Sequence, residues 1–353
     1  MTTMNALVMQ SGKIHLQTVA TPKPGPGQVL VRSLACGICG SDLHLTRHTS
    51  EVFGLYRTMG VMTDAQDDDT GIMLGHEFCA EVIDYGPDTE RVIVPGTRVT
   101  AVPILLSRDN AGIGVTPGLY GAYSEYFILD EALLLRVPEH VPTEAAAITE
   151  PLAVGLHAVN RSGIQPGDVA LVAGCGPIGL SVMAALRRRG IETIVASDIQ
   201  REKFAVARRF GATHVSVPDG GYEMALATEL AAGCRLVIFE CVGMHTLIDD
   251  FIKRAPPGAT LVVTGVHTAD SQVNYAFATV KELDVVFSYY YTPEEFAECL
   301  TALGEGHIDW QVFLTARVGI DGVDDAFTLL SQPNDHIKVL VEPWRRGPLT
   351  PMR

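Results

Sequence analysis

The spacing of apolar and polar positions changes near the middle of the chain. Before about residue 150, short apolar stretches are interrupted by glycine and proline; examples are residues 28–32, 80–83 and 97–102. Stretches of this kind, bounded by turn-forming residues, are typical of short β-strands. The first part of the chain is therefore predicted to form a distorted β-barrel or sandwich.

From about residue 165, apolar strands alternate with glycine-containing turns and amphipathic helices. Strands are predicted at 169–173, 193–197, 236–240, 259–264 and 283–287, with helices at 180–189 and 201–210. This alternation predicts an α/β fold with a doubly wound parallel sheet. A helix at 294–303 and a strand at 337–342 are expected to return to the first domain. The predicted domains are thus 1–157 with 293–353, and 158–292.

A glycine-rich loop follows the first strand of the parallel sheet. It has the spacing GxGxxG and comprises Gly174, Gly176, Pro177, Ile178 and Gly179, directly before a helix. Glycines at this spacing allow a tight turn in which a pyrophosphate lies at the helix N-terminus. Asp198 ends the next strand, where a carboxylate can accept from both ribose hydroxyls and repel a 2'-phosphate. The pattern favours NAD over NADP, although Arg201 could accommodate a 2'-phosphate.

Composition restricts the classes of partner. The sequence of 353 residues has 26 Lys and Arg against 41 Asp and Glu, a formal net charge of -15, which disfavours nucleic acid and anionic membranes. The N-terminus lacks the features of a secretory signal, and no apolar run is long enough to span a bilayer. Seven cysteines, mostly in apolar stretches, suit a reducing compartment. We expect a cytoplasmic protein.

Two short segments contain residues that commonly bind metals. Cys39 is the second cysteine of a CxxC pair with Cys36, and His76 is followed directly by Glu77. Thiolate, imidazole and carboxylate are zinc ligands, but an isolated CxxC pair can also be redox-active or simply buried.

Five motifs occur in order: CGICGSDLH, GHE, GAYSEYF, EPLAVGLHAV and GCGPIG. Together they resemble the zinc-dependent medium-chain dehydrogenases, in the branch of sorbitol, threonine and butanediol dehydrogenases, over nearly the full chain. The resemblance implies a GroES-like catalytic domain beside a Rossmann domain. It also implies a catalytic zinc site with Cys39 and His76 as ligands. Glu77 and Glu150 are the remaining candidates; we expect one to bind directly while the other lies behind it or exchanges with water.

The same resemblance suggests roles for neighbouring residues. Asp42 would orient the His76 imidazole, Ser41 would take the alcohol proton, and His44 would pass it outward. Cys36 and Cys79 would be buried neighbours rather than ligands. The ends of two later strands, at Val242, Gly243, Thr264, Gly265 and Val266, should line the dinucleotide crevice.

The chain departs from the family pattern in two places. Many relatives hold a second, structural zinc with four cysteines in a lobe that corresponds to residues 104–120, where this chain has none. One zinc per subunit is therefore predicted, with the lobe held by packing of Ile104, Leu105, Leu106 and Tyr120. In addition, residues 46–71 form a long segment, which we interpret as a loop roofing the substrate cleft, with a solvated acidic tip at 67–69.

These observations predict an enzyme that transfers a hydride between a secondary alcohol or polyol, or the corresponding ketone, and NAD. A zinc-free NADPH-dependent enone or quinone reductase and a non-catalytic dinucleotide-binding protein are the alternatives. A homodimer or homotetramer is expected, because relatives associate through the nucleotide domain.

Overall fold

The structure is a computed structural model that describes residues 2–63, 65–268 and 270–352. It contains two compact units. Pro151–Cys299 forms the α/β unit, and the described residues up to Glu150, together with those from Leu300 onwards, form the β-rich unit.

The strands of the β-rich unit are β1 (Thr3–Gln10), β2 (Lys13–Ala20), β3 (Gln28–Gly37), β4 (Ile72–Met73), β5 (Glu77–Tyr85), β6 (Arg98–Ala101), β7 (Ile104–Leu105), β8 (Ala111–Gly112), β9 (Tyr126–Asp130), β10 (Leu134–Arg136), β17 (Leu314–Gly319), β18 (Lys338–Glu342) and β19 (Thr350–Pro351). Those of the α/β unit are β11 (Val169–Ala173), β12 (Thr193–Ser197), β13 (His214–Ser216), β14 (Leu236–Glu240), β15 (Thr260–Val263) and β16 (Asp284–Phe287).

The helices are α1 (Gly40–Arg47), α2 (Thr49–Thr58), α3 (Thr143–Ala147), α4 (Thr149–Ser162), α5 (Pro177–Arg188), α6 (Phe204–Arg209), α7 (Tyr222–Leu230), α8 (Leu247–Arg254), α9 (Tyr275–Lys281), α10 (Pro293–Gly304), α11 (Trp310–Phe313) and α12 (Val323–Leu330). Short 3₁₀ helices lie at Leu106–Arg108, Glu131–Leu133, Arg201–Lys203 and Ile320–Gly322. The two units divide within α4 and α10. The predicted limits at 157 and 293 lie in or at the start of these helices, and they remain a prediction.

The largest sheet of the β-rich unit has the order β10-β6-β5-β3-β18-β17-β19, and β9 also pairs with β3. Buried and partly exposed positions alternate along β3, as expected for an antiparallel strand with one face on a core. Near the end of the chain, β18 pairs antiparallel with β3, with Val341 opposite Cys36. A strand from near the end of the chain therefore joins a sheet whose other strands include β3, β5 and β6 from the first part of the chain.

The α/β unit contains six parallel strands in the order β13-β12-β11-β14-β15-β16. Every residue of β11, β14 and β15 is buried, in keeping with apolar strands that are covered on both faces. The strand order reverses between β11 and β14, and ligands of such sheets bind at the carboxyl ends of the strands beside this point. The predicted doubly wound α/β fold is confirmed.

Several local predictions were wrong. The segment 46–71 is not simply a loop, because it contains α2, whose Val52 and Phe53 enter the core of the β-rich unit. The acidic tip is solvent-exposed at Asp67 and Asp69, as predicted, although the Asp68 carbonyl oxygen accepts from the Ser11 N–H at 2.8 Å. In the lobe, Leu105 is buried but Leu106 is exposed. The single helix predicted at 201–210 begins as a 3₁₀ turn before α6.

Among the described residues, no helix combines the length and the hydropathy required to cross a membrane.

Candidate metal and dinucleotide sites

The pairing of β3 with β5 brings the two halves of the candidate metal site together. Gly37 at the end of β3 lies opposite Glu77 at the start of β5. Cys39 caps the N-terminus of α1 just after β3, and His76 immediately precedes β5. Ligand atoms of Cys39, His76 and Glu77 all lie within 4.8 Å of one another.

The donor set suits a zinc ion. A thiolate, an imidazole and a carboxylate are the groups that bind zinc in proteins. Glu77 Oε2 is buried and makes no hydrogen bond within the described part of the chain. A buried carboxylate oxygen without a partner is costly, and a nearby cation would satisfy it. The residues present therefore fit a bound metal.

The electrostatic environment of His76 also favours a cation. Burial alone would lower the pKa of His76, but the negative charges of Asp42 and Cys39 outweigh burial and raise it well above its usual value. The site thus holds a proton strongly in the absence of metal. Because a metal ligand must be a neutral imidazole, a divalent ion has to displace that proton.

Asp42 contacts both halves of the cluster. Its Oδ2 accepts hydrogen bonds from the Cys39 N–H at 3.0 Å and the Tyr123 hydroxyl at 2.8 Å. Its Oδ1 lies 3.6 Å from His76 Nδ1. A carboxylate in this place can fix the orientation of the ring, which is the role predicted for Asp42.

Glu77 forms a buried ion pair with Lys338 of β18. Lys338 Nζ donates to Glu77 Oε1 at 2.6 Å and to the Ile38 carbonyl oxygen at 2.9 Å. Glu77 is fully buried, and Lys338 is 2% exposed. Glu77 Oε2 also packs so closely on Gly37 that a Cβ there would lie 2.0 Å from it. The Glu77 carboxylate is thus held by its own partners as well as facing the cluster.

Glu150 lies in the first turn of α4 and is 8% exposed. Its charge contributes to the raised pKa values of both His76 and Lys338, after burial and after the larger effects of their direct partners. It therefore lies within electrostatic range of both residues.

Ser41 and His44 lie on α1, beside the cluster. Ser41 is exposed, and its Oγ lies 3.4 Å from His76 Nε2. The His44 ring stacks on that of His48, with 4.7 Å between the ring centroids. Burial and the charge of His48 lower the pKa of His44. A histidine with a lowered pKa is neutral near pH 7 and can accept a proton.

The glycine-rich loop has the geometry of a phosphate-binding turn. Gly174 has a positive φ of 99°, and a Cβ on Gly179 would lie 1.8 Å from the Gly174 carbonyl oxygen. Gly176 is the N-cap of α5, and Pro177 is at its first position, followed by Ile178. The loop therefore presents the N-terminus of a twelve-residue helix at the switch point of the sheet.

Asp198 lies directly behind this loop. Its Oδ2 accepts from the Cys175 N–H at 2.8 Å, and its Oδ1 accepts from the Gln200 N–H at 2.9 Å. Lys203 Nζ is 3.9 Å from Oδ2, whereas Arg201 is exposed. Each carboxylate oxygen keeps acceptor capacity beyond its one backbone partner.

The five residues predicted to line the crevice follow β14 and β15. Val242 and Val266 are exposed despite being apolar, and Gly243 and Gly265 lie close together between them. Thr264 donates its hydroxyl to the Glu240 carbonyl oxygen at 2.6 Å. The structure thus places these residues at the carboxyl ends of adjacent parallel strands.

Comparison with known proteins identifies the family. Residues 25–139 match the alcohol dehydrogenase GroES-like domain, and residues 177–305 match the zinc-binding dehydrogenase family. The (R,R)-butanediol dehydrogenase of Neisseria gonorrhoeae is 30% identical over 350 residues, covering 94% of this chain and 97% of that protein. The chain belongs to the zinc-dependent medium-chain dehydrogenases.

Other relatives agree with this assignment. The sorbitol dehydrogenase of Arabidopsis thaliana is 28% identical over 357 residues, covering 96% of this chain and 94% of that protein. The structure of the 2R,3R-butanediol dehydrogenase of Bacillus subtilis has a TM-score of 0.80 at 27% identity, covering 96% and 99% of the two chains. A zinc-binding dehydrogenase of Sinorhizobium meliloti 1021, bound to NADP, has a TM-score of 0.80 at 27% identity, covering 97% and 100%. The predicted family is confirmed.

Sequence reasoning missed two partners in this dehydrogenase. Lys338 was read only as part of a strand, and Tyr123 only as part of a family motif. In the sequence, Lys338 stands out as a lysine in the otherwise apolar run 337–341, and Tyr123 stands out as a tyrosine among small residues. Cys36 and Cys79 are buried; burial raises the pKa of Cys36 well above its usual value and that of Cys79 to about 12, so both favour the neutral thiol.

Proposed function

We propose that this dehydrogenase oxidises a secondary alcohol or polyol, or reduces the corresponding ketone, with a nicotinamide dinucleotide and one zinc ion. The observation that carries the proposal is the convergence of Cys39, His76 and Glu77 within 4.8 Å in a chain of this family. When bound, zinc acts as a Lewis acid that lowers the pKa of an alcohol, and the dinucleotide accepts the hydride.

Cys39, His76 and Glu150 are proposed as the protein ligands. Lys338 offsets the charge of Glu77, so the second carboxylate does not make the metal centre anionic. A less negative ligand set leaves the ion a stronger Lewis acid. Glu77 would then be a reserve ligand: the charge of the ion would stabilise Oε2, which makes no hydrogen bond within the described part of the chain, without a direct bond to it.

Ser41 and His44 are proposed to carry the alcohol proton away. Ser41 is exposed beside the His76 ring, and His44 follows one helical turn later. The lowered pKa of His44 keeps its ring neutral and able to accept a proton. Asp42 contributes by holding the His76 ring and the Cys39 backbone in place.

The relatives named for butanediol and sorbitol support a vicinal diol or polyol as the substrate class. In the segment 46–71, Leu55, Met59 and Val61 remain exposed, and we propose that they contact the substrate or roof its cleft. Deletion of the segment would also remove Val52 and Phe53 from the core. Met59→Ala is the better test, and it should raise the KM of bulky alcohols without changing the affinity for dinucleotide.

We propose NAD as the preferred dinucleotide. Asp198 directly follows β12, with Oδ2 hydrogen-bonded to the glycine-rich loop, and its charge would repel a 2'-phosphate there. Lys203 and Arg201 partly offset that charge, and one relative of known structure binds NADP. Asp198→Asn should therefore lower the preference for NAD, measured as the ratio of kcat/KM values for the two dinucleotides.

A homodimer or homotetramer is proposed, with β16 in the contact. This strand is at the edge of its sheet, and its Phe287 is 64% exposed. An exposed apolar edge strand is a surface for pairing with a second copy. Light scattering should show a smaller assembly for Phe287→Lys. An unchanged mass would place the contact elsewhere.

Zinc content and turnover test the function directly. Purified protein should contain one zinc per chain and reduce NAD with secondary alcohols, and chelation should abolish turnover. Cys39→Ser should lose zinc, whereas Cys234→Ser, at an exposed cysteine, should keep it. Turnover without zinc would favour a zinc-free reductase, and dinucleotide binding without turnover would favour a binding protein.

The choice of ligand has its own test. Cobalt substitution gives a visible spectrum that reports coordination. Glu150→Gln should change the spectrum of the cobalt form strongly, and Glu77→Gln should change it little. The opposite pattern would make Glu77 the direct ligand.

A further inference from the structure

Two loops at the switch point of the α/β unit are joined by a single side chain. One loop, residues 241–243, follows β14, and the other, residues 264–267, follows β15. The side chain is that of Glu240, the last residue of β14, and it is fully buried.

Each carboxylate oxygen of Glu240 holds a different loop. Oε1 accepts the N–H groups of Val242 and Gly243, both at 2.7 Å. Oε2 lies 3.1 Å from Nε2 of His267, at the far end of the other loop. The Glu240 backbone carbonyl oxygen also accepts from the Thr264 N–H at 3.0 Å. One residue therefore makes hydrogen bonds to both loops.

His267 depends on Glu240 for its position. The ring is 10% exposed, and its other nitrogen, Nδ1, is buried without a hydrogen bond to any residue in 2–63, 65–268 or 270–352. Because a carboxylate only accepts hydrogen bonds, Nε2 is the donor in this contact. No second polar contact of the described chain fixes the ring if the carboxylate is removed.

The loops are packed too closely to adjust independently. A Cβ on Gly265 would lie 2.5 Å from Gly243 Cα and 2.8 Å from Glu240 Oε2. A Cβ on Gly174, in the glycine-rich loop, would lie 3.1 Å from Val242 Cγ2. The loop at 241–243 is thus packed against both the loop at 264–267 and the glycine-rich turn.

We propose that Glu240 and His267 are positioning residues for dinucleotide binding. The buried Glu240 carboxylate joins the loops at 241–243 and 264–267 and sets the spacing between them. The inference rests on the proposed dinucleotide site and assigns to it two residues that need not touch the cofactor. Interactions within a preorganised site raise affinity by reducing the cost of ordering loops on binding.

The test is the dissociation constant of NADH, measured by its fluorescence, in Glu240→Gln and His267→Ala. Each should raise it about tenfold, equivalent to about 1.4 kcal/mol. His267→Gln, which keeps a donor for Oε2, should recover much of that loss. Zinc content and the KM for alcohol should stay within about twofold of the wild-type values. General destabilisation would change these quantities together with the affinity for NADH.

Glu223→Gln is the matched control, because Glu223 is another buried carboxylate of the same unit, paired with Arg254 at 3.8 Å. It should leave the affinity for NADH unchanged. If the wild-type protein binds NADH and both Glu240→Gln and His267→Ala bind it equally well, the positioning role is wrong while the proposed function stands. If wild-type protein binds neither NADH nor NADPH, the proposed function fails, and the inference fails with it. Should Glu240→Gln not fold, His267→Ala and its Gln rescue decide the question.

Discussion

Replacing Lys338 by methionine should strongly destabilise the β-rich unit. The substitution removes the cation from a fully buried carboxylate that it contacts at 2.6 Å, and it also removes the donor to the Ile38 carbonyl oxygen. Breaking a buried ion pair by removing one partner costs about 3–5 kcal/mol, because the other charge is left uncompensated. Lys338→Met should lower the free energy of unfolding by this amount.

The chain offers a direct assay for this unit. Its two tryptophans, Trp310 and Trp344, both lie in the β-rich unit, so tryptophan fluorescence in urea reports the unfolding of that unit. Lys13→Met, at an exposed position of β2 in the same unit, is the matched control. Its effect should stay within about 0.5 kcal/mol, as for most surface substitutions.

A double variant separates the charge effect from the loss of packing. Glu77→Gln removes the charge that needs compensation, so Glu77→Gln with Lys338→Met should be more stable than Lys338→Met alone. The reasoning is refuted if Lys338→Met costs less than about 1 kcal/mol, or if the effects of the two substitutions simply add.

Three further outcomes are expected. Gly37→Ala should lower the zinc content, because its Cβ would lie 2.0 Å from Glu77 Oε2 and would push apart the β3–β5 pairing that brings Cys39 and His76 together, whereas Gly54→Ala, with open space in α2, should bind zinc normally; equal zinc contents would contradict this. His48→Gln should move the pKa of His44 part of the way back towards its usual value, because burial remains but the charge of the stacked His48 ring is lost. NMR titration of the His44 ring protons measures this, and an unchanged pKa would contradict it. Burial opposes ionisation of Glu295, but hydrogen bonds from three neighbours outweigh burial and lower its pKa. The stability that the Glu295 carboxylate gives to the folded protein is therefore present above its usual pKa and is lost as the pH falls through its lower pKa in the folded state. Glu295→Gln should thus lose less stability than the wild-type protein as the pH falls below about 4. Thermal unfolding followed by circular dichroism at several pH values measures this, and parallel curves of stability against pH for the two proteins would count against it.

The parallel sheet was the most predictable part of the fold. The strands 169–173, 193–197 and 236–240 have the predicted ends, because each contains at least three consecutive apolar residues and adjoins a charged residue. The helix within residues 46–71 was harder to predict from the sequence. This helix, α2, contains β-branched and aromatic residues and a glycine, which have modest helix propensity, and packing of Phe53 in the core stabilises it.

The site was predictable only where motifs are local in sequence. The grouping of Cys39 with His76 and Glu77 followed from two short segments and the family resemblance. The partner of Glu77 did not, because Lys338 is 261 residues away and lies in a strand that otherwise reads as apolar. Glu240 was predicted only as the end of a strand, since nothing in sequence shows which loops its carboxylate reaches.

The late position of β18 in the sequence also determines when the buried ion pair between Glu77 and Lys338 can form during synthesis. A ribosome that adds roughly 5–20 residues per second takes roughly 10–50 s to proceed from Glu77 to Lys338. By the end of that time the whole α/β unit has been synthesised, while β3 has lacked one of its neighbours, β18, and the Glu77 carboxylate has lacked its counter-charge. The Glu77 carboxylate of a nascent chain therefore gains its counter-charge only after the α/β unit has been synthesised. A protein truncated before β18 would contain Cys39, His76 and Glu77 but would leave the buried Glu77 carboxylate without its lysine.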